Sequence, residues 1–199
     1  NTLLPLLSAR GIHVQVVTSA VREIPKEWRS IPRVTIVVSI DGLQPEHDVR
    51  RTPATYDRIL KHIVGHQIIV HCTVTRQQIR RPGYIEDFLR IWSERQEVRK
   101  IWMSLYTPQI GEQSPEMLTP EDRARVVADL MALRLRYAKL EAPLALLEVY
   151  AEPPASPDEC VFARTTQTIS ADLTTKITPC QFGGAPDCSQ CGCLVSAGL

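Results

Sequence analysis

Along the first 150 residues the apolar positions switch repeatedly between a period near two and a period near 3.6, which is the pattern of alternating strands and helices. Residues 12–18 (IHVQVVT) are β-branched and predict a strand. Residues 34–41 (VTIVVSID), 68–75 (IIVHCTVT) and 101–106 (IWMSLY) predict three more, and residues 144–150 (LALLEVY) a fifth. Helices are predicted between them. Thr52-Pro53 opens one as a cap residue followed by proline, with Tyr56, Ile59, Leu60 and Ile63 as its stripe and Gly65 to close it. Residues 84–97 form a second, with Ile85, Phe88, Leu89 and Trp92 on one face. Thr119-Pro120-Glu121-Asp122 opens the longest, along the stripe Val126, Leu130, Leu133, Tyr137 and Leu140. Strands joined through helices of this length pair in parallel with right-handed crossovers.

Strand parity adds a sharper expectation. Val34, Ile36, Val38 and Ile40 share one face, and Thr35, Val37, Ser39 and Asp41 the other. Ile68, Val70, Cys72 and Val74 oppose Ile69, His71, Thr73 and Thr75; Ile101, Met103 and Leu105 oppose Trp102, Ser104 and Tyr106. Each strand thus has one apolar face, suited to packing under helices, and one that turns polar toward its C-terminal end. A sheet covered on both sides is apolar on both. The pattern therefore favours an α/β fold built as a partial parallel (β/α) TIM-type barrel, with its site at the C-terminal ends of the strands. Five strands are too few to close an eight-stranded barrel.

The chain has 199 residues, 44% hydrophobic and 23% charged, which excludes disorder as its main state. With 23 basic and 22 acidic side chains the net charge is +1, so neither nucleic acid nor an anionic membrane is an expected partner. No apolar run is long enough to span a bilayer. No signal-peptide pattern opens the chain, and a cytoplasmic location is expected. Asn1-Thr2-Leu3-Leu4 reads as helix interior without an initiator Met, so a fragment is expected. Residues 152–159 (EPPASPDE) form a Pro-rich boundary between a barrel part, residues 1–151, and a Cys-rich extension, residues 152–199. The extension is too poor in large apolar residues to hold a core alone, so a metal or the barrel must order it.

Five of the six cysteines lie in that extension: Cys160, Cys180, Cys188, Cys191 and Cys193. Two thiolates separated by two residues can ligate one centre, and Gly183, Gly184 and Gly192 let the backbone wrap closely around it. Soft thiolates suit zinc or an iron–sulfur cluster, with disulfides and an unliganded tail as the other readings. All five are candidate metal ligands. Cys72, on the apolar face of its strand, reads as a core thiol. Ser39-Ile40-Asp41-Gly42 ends the second strand and is followed by His47-Asp48 and Arg50-Arg51. Ser39 and Asp41 can hold a ligand hydroxyl or amine; alternatively Asp41-Gly42 is a plain turn and Asp48 a helix-start or loop acid. His71, Thr73 and Thr75 make a similar polar row, read either as ligand contacts or as satisfied lumen packing. His62 and His66 have the spacing of a helical metal pair, but no Glu follows His62, and both they and His13 read as structural. Arg76, Arg80 and Arg81 read as a solvated loop. Glu148 and Tyr150 are candidates to face the lumen, and no paired-carboxylate catalytic site is visible.

Residues 34–64 resemble the middle of a radical S-adenosylmethionine enzyme, in which a strand ending Ser-x-Asp-Gly is followed by His-Asp, an Arg and an aromatic-led helix. Thr18-Ser19-Ala20 resembles the Thr-Asn-Gly end of the preceding strand, and Leu118-Thr119-Pro120-Glu121 the start of the helix after the sixth strand. The tail resembles the auxiliary-cluster extensions of the SPASM or twitch type: a Cys, a stretch like Ile169-Ser170-Ala171-Asp172, then Pro-Cys and further close-set cysteines. The resemblance implies strands three to six of a six-stranded radical SAM barrel. It implies S-adenosylmethionine as cofactor, with Ser39 approaching its ribose, Asp41 beside it, and Thr73 and Thr75 near the adenine. An auxiliary [4Fe–4S] cluster in the tail, an electron donor such as ferredoxin or flavodoxin, and a peptide or small-metabolite substrate are implied with it. In that family a reduced cluster cleaves the cofactor, and the 5′-deoxyadenosyl radical abstracts a substrate hydrogen; the protein positions and shields.

The chain also departs from the family. No cysteine precedes Cys72, so the defining Cys-x3-Cys-x2-Cys is absent, as is the Gly-Gly-Glu-type motif of the second strand. The tail spacing Cys188-x2-Cys191-x-Cys193 is tighter than usual, and Asp172 and Leu173 stand where Gly is usual. The chain by itself is accordingly expected to be inactive. Two other classes remain open: a non-catalytic, zinc-stabilised binding module on a degenerate barrel, and an intact barrel enzyme using Glu148 or His71 as acid or base.

Overall fold

The computed structural model describes residues 2–196; Asn1, with which the predicted opening helix begins, lies outside them. The fold is α/β, around a four-stranded parallel sheet in the order β1 (Val14–Thr18), β2 (Val34–Ser39), β3 (Ile68–Val74) and β4 (Val98–Leu105). In register, Val14 faces Val34 across β1–β2, and Ser39 faces His71 across β2–β3. Eight helices accompany it among the described residues: α1 (Leu3–Ala9), α2 (Glu46–Arg51), α3 (Tyr56–His62), α4 (Arg76–Ile79), α5 (Tyr84–Ser93), α6 (Pro120–Leu133), α7 (Leu144–Ala151) and α8 (Val161–Thr165). The tail adds a short antiparallel pair, β5 (Thr168–Ile169) and β6 (Lys176–Ile177).

The chain divides into two units. The first takes in residues up to Thr73, Gly83–Trp102 and Tyr137–Glu141. Its core takes both faces of the early part of β2 and β3: Ile36, Val38, Ile68, Val70 and Cys72 are buried on the face that parity marks as apolar, Val37 and Ile69 are buried on the opposing one, Ile40 is buried just beyond β2, and Phe88, Leu89 and Trp92 are buried on α5. Tyr56 and Phe88 pack against Trp92, with Tyr56 edge-on at a ring distance of 5.4 Å. Cys72 is a buried thiol, as its position on the apolar face predicts.

The second unit comprises Val74–Pro82, Met103–Arg136 and the chain from Ala142 onward. Its longest element, α6, starts where predicted, because the Thr119 and Asp122 side chains cap each other's backbone N–H and Pro120 sits in the first turn. Val126, Leu130 and Leu133 form its buried stripe.

Residues 144–150 are a helix, not the predicted fifth strand. Leu146, Leu147 and Tyr150 are buried at helical spacing, and the segment is rich in Leu and Ala with one β-branched residue, so helix propensity decides a run too short for periodicity to decide. Two other boundaries shift. Thr52-Pro53 ends α2 rather than opening a helix, since the residue before proline leaves the helical region (Thr52 ψ 131°). The next helix starts at Tyr56, capped from Asp48, and Gly65 lies just beyond it at φ +79°, the left-handed conformation that favours glycine. Arg76 heads the short helix α4 instead of a loop, held by a Thr75–Gln78 capping box.

Candidate functional site

Two constellations carry chemistry, one in each unit. The first is built on the C-terminal ends of β2 and β3. Ser39 is the last residue of β2, and Asp41 lies two residues beyond it with its carboxylate wholly shielded from solvent. Arg50 Nε donates to Asp41 Oδ2 at 3.0 Å, and Arg51 donates to the same oxygen from Nε and Nη2 at 2.7 Å. The other oxygen, Oδ1, accepts the backbone N–H of Thr73 at 3.2 Å. One buried carboxylate thus holds two otherwise flexible cations of α2 in place just beyond the C-terminal end of β2. The two arginines follow Asp41 at nine and ten residues, and the intervening α2 turns them back onto it.

The loop that does this is clipped by His47. Its Nδ1 accepts the Asp41 N–H at 3.0 Å, so the ring proton sits on Nε2 and is donated to the Ala54 carbonyl at 2.9 Å. Asp48 closes the other side: Oδ1 accepts the Tyr56 N–H at 2.6 Å and Oδ2 accepts from Gln44 Nε2 at 2.9 Å. The helix-start reading of Asp48 is therefore the observed one, and His-Asp serves as a structural clip. Asp41 is more than a turn residue, because both its oxygens orient other groups.

The predicted polar row on the third strand divides. Thr73 has its N–H committed to Asp41, and His71 feels both Asp41 and Arg51. Thr75 belongs to the second unit, where its backbone and side chain are spent on capping α4. Glu148 lies on the exposed side of α7, and Tyr150 is buried, donating its hydroxyl to the Met103 carbonyl at 2.7 Å. Their placement on a helix removes the strand geometry on which an acid–base role for Glu148 was based. His62 donates Nδ1–H to the Ala20 carbonyl (2.8 Å), a structural role.

The second constellation is the cysteine tail. Cys160, Cys180, Cys188, Cys191 and Cys193 line one pocket, walled by Phe162, Phe182 and Pro154, Pro157 and Pro186. All are free thiols. Burial pushes the Cys188 thiol up, and Cys191, Cys180 and Cys160 beside it push further, because adjacent thiolates repel. Cys193 differs: burial pushes its thiol up to about 11, and its sulfur accepts from Gln181 Nε2 at 2.9 Å. Among the described residues no three His, Cys, Asp or Glu side chains are arranged around a single ion. A lone tetrahedral zinc with bonds near 2.3 Å draws its sulfurs to within about 3.8 Å of one another, whereas a polynuclear cluster carries its thiolates on separate irons. The donor set is soft thiols behind an apolar wall, the donor chemistry that zinc or an iron–sulfur centre takes, and binding either would have to displace the thiol protons.

The tail is fastened by contacts that spacing could not reveal. Leu105 N–H donates to the Gly192 carbonyl at 2.9 Å, and Gly192 N–H donates to Thr107 Oγ1 at 2.8 Å. Arg123 of α6 reaches the carbonyls of Tyr150, Gln190 and Cys191.

In comparisons with known proteins, no family model, curated protein or solved structure matches this chain. Among the described residues no helix is long and apolar enough to cross a membrane.

The first unit has a pH signature. Burial lowers the pKa of His47, His66 and His71 below the ordinary value of 6.5. Each contributes stability that is fully present above pH 6.5 and is lost as the pH falls from there through the folded-state pKa, because the unfolded chain takes up protons first. The urea midpoint is expected to fall between pH 7.5 and 5.5. A midpoint that stays flat over that range would show that the imidazoles do not need to remain neutral.

Proposed function

We propose that the chain is part of a radical S-adenosylmethionine oxidoreductase, its sheet forming four consecutive strands of a partial (β/α) barrel and its tail holding an auxiliary iron–sulfur cluster. The observation that carries the reading is the convergence of Cys160, Cys180, Cys188 and Cys191, separated by up to thirty-one positions in sequence, on one apolar pocket. In this reading those four cysteines are the ligands and Cys193, engaged by Gln181, stands outside the set. When bound, the cluster supplies single-electron chemistry; the chain's own contribution is to hold the thiols, exclude water and orient the cofactor-binding loop.

Two further features support the reading. The Ser-Ile-Asp-Gly…His-Asp…Arg block folds as one interlocked loop around Asp41, so its residues work as a unit. Ala20, at the position of glycine in the family's Thr-Asn-Gly, has φ +51°, the left-handed region that favours glycine. Ser39 would meet the cofactor's ribose, while Asp41 acts through Arg50 and Arg51. The 199 residues contain no Cys-x3-Cys-x2-Cys, so by themselves they are expected to bind cofactor without cleaving it.

Anaerobic reconstitution with iron and sulfide tests the proposal. About four irons per chain with thiolate–iron absorption near ~400 nm are expected, abolished in a C188S/C191S variant and retained in C193S. A colourless chain holding one zinc would sink the cluster assignment in favour of a zinc-stabilised module.

A further inference from the structure

One side chain, Arg123, gathers three backbone carbonyls around the turn that carries Cys191. Arg123 Nη1 donates to the carbonyls of Tyr150 at 2.9 Å and Cys191 at 3.0 Å, and Nη2 donates to the Gln190 carbonyl at 2.5 Å. All three acceptors are neutral, and among the described residues no carboxylate forms an ion pair with it. Burial works against its charge; the groups that favour the charge are, in order, Cys191, Tyr150 and Asp187. A partly desolvated guanidinium on neutral carbonyls alone is costly, and a negative charge nearby recovers that cost.

Four thiolates around an oxidised four-iron core carry a net charge of about −2, as the sum of formal charges in such a cluster requires. The orphan cation and the anionic centre therefore answer each other.

We propose that Arg123 is the positioning residue of the tail's metal centre, fixing the turn at 190–191 in ligating register and supplying the positive charge that the thiolate-bound centre needs. This inference rests on the cluster reading above.

The test uses the full chain, reconstituted anaerobically with iron and sulfide, as wild type, R123M and R123K. Iron content and the midpoint potential are measured, with far-UV circular dichroism as the check on folding. Removing the cation disfavours adding an electron, so R123M is expected to lower the reduction equilibrium constant about tenfold, or about 59 mV more negative for a one-electron couple. R123M is also expected to hold less iron. R123K, which keeps the charge and loses the planar fork, is expected to return the potential to the wild-type value while still holding less iron. A loss of packing alone lowers iron content without moving the potential of the clusters that form. If R123M does not fold, R123Q carries the same potential measurement. A charge-removing variant that keeps the wild-type potential overturns the role of Arg123 and leaves the cluster standing. A wild-type chain that takes up no iron and sulfide overturns the cluster reading itself.

Discussion

Gly192→Ala is expected to undock the cysteine tail. A Cβ at this position would lie closer than 3.0 Å to Leu105 Cβ and to the Leu105 backbone carbonyl, and backbone cannot rotate away as a flexible side chain can. The residue is also pinned on both sides, through its carbonyl to Leu105 N–H and through its N–H to Thr107 Oγ1. Relieving the overlap means giving up those bonds. Overpacking costs about 1–3 kcal/mol, and the two hydrogen bonds add roughly 0.5–1.5 kcal/mol each. Together these make about 2–6 kcal/mol of docking free energy, enough to release the segment that carries Cys188, Cys191 and Cys193. Limited proteolysis of residues 152–196 and iron uptake would both report it. The variant is expected to be cut in the tail and to bind about a tenth or less of the wild-type iron, since docking of this size scales equilibria at 1.4 kcal/mol per tenfold. Wild-type resistance together with wild-type uptake would mean that Gly192 is replaceable and the tail held elsewhere.

Asp41→Asn carries the second large effect. It keeps the shape of the side chain and one acceptor oxygen but removes the charge that holds two guanidinium groups. Taking away one partner of a buried ion pair costs about 3–5 kcal/mol. The arginine side chains here keep 28% and 34% of their exposure, so water recovers part of that, and a loss of about 2–3 kcal/mol is expected. The urea midpoint measures it directly. Under the proposed function, S-adenosylmethionine binding is expected to be lost in this variant as well, because Arg50 and Arg51 would no longer be fixed. A variant with the wild-type midpoint would show that the arginines are held by other groups, and retained cofactor binding would detach this loop from the proposed function.

The strands were legible because short β-branched runs leave few other structures open. Residues 34–41 and 68–75 fall on β2 and β3 to within two residues, but Val37 and Ile69 are buried on the face that parity left for polar groups, alongside Ile36, Val38, Val70 and Cys72 on the other. Residues 144–150 were not legible by pattern, because a mostly apolar run of seven is too short to show a period; the helix propensity of its Leu and Ala residues decides it. The candidate sites divide in the same way. Ser39 and Asp41 were visible as polar residues at the end of an apolar strand. That Asp41 acts on Arg50 and Arg51 depends on α2 reversing the chain, which local spacing does not encode. Thr75 had the right parity and a different task, since a capping box with Gln78 needs only the next three residues.

By itself the sequence determined the α/β class, the parallel strands, the cap of α6 and the concentration of thiols in the tail, because each of these follows from short-range pattern and residue chemistry. Only the tertiary structure decided which thiols stand together, that Gly192 must be glycine, and that Arg123 clamps the loop bearing Cys191. The physical reason is contact order. Arg123 and Cys191 are sixty-eight positions apart, and Leu105 and Gly192 eighty-seven. Interactions across such separations depend on how whole elements pack, and no periodicity along the chain records them.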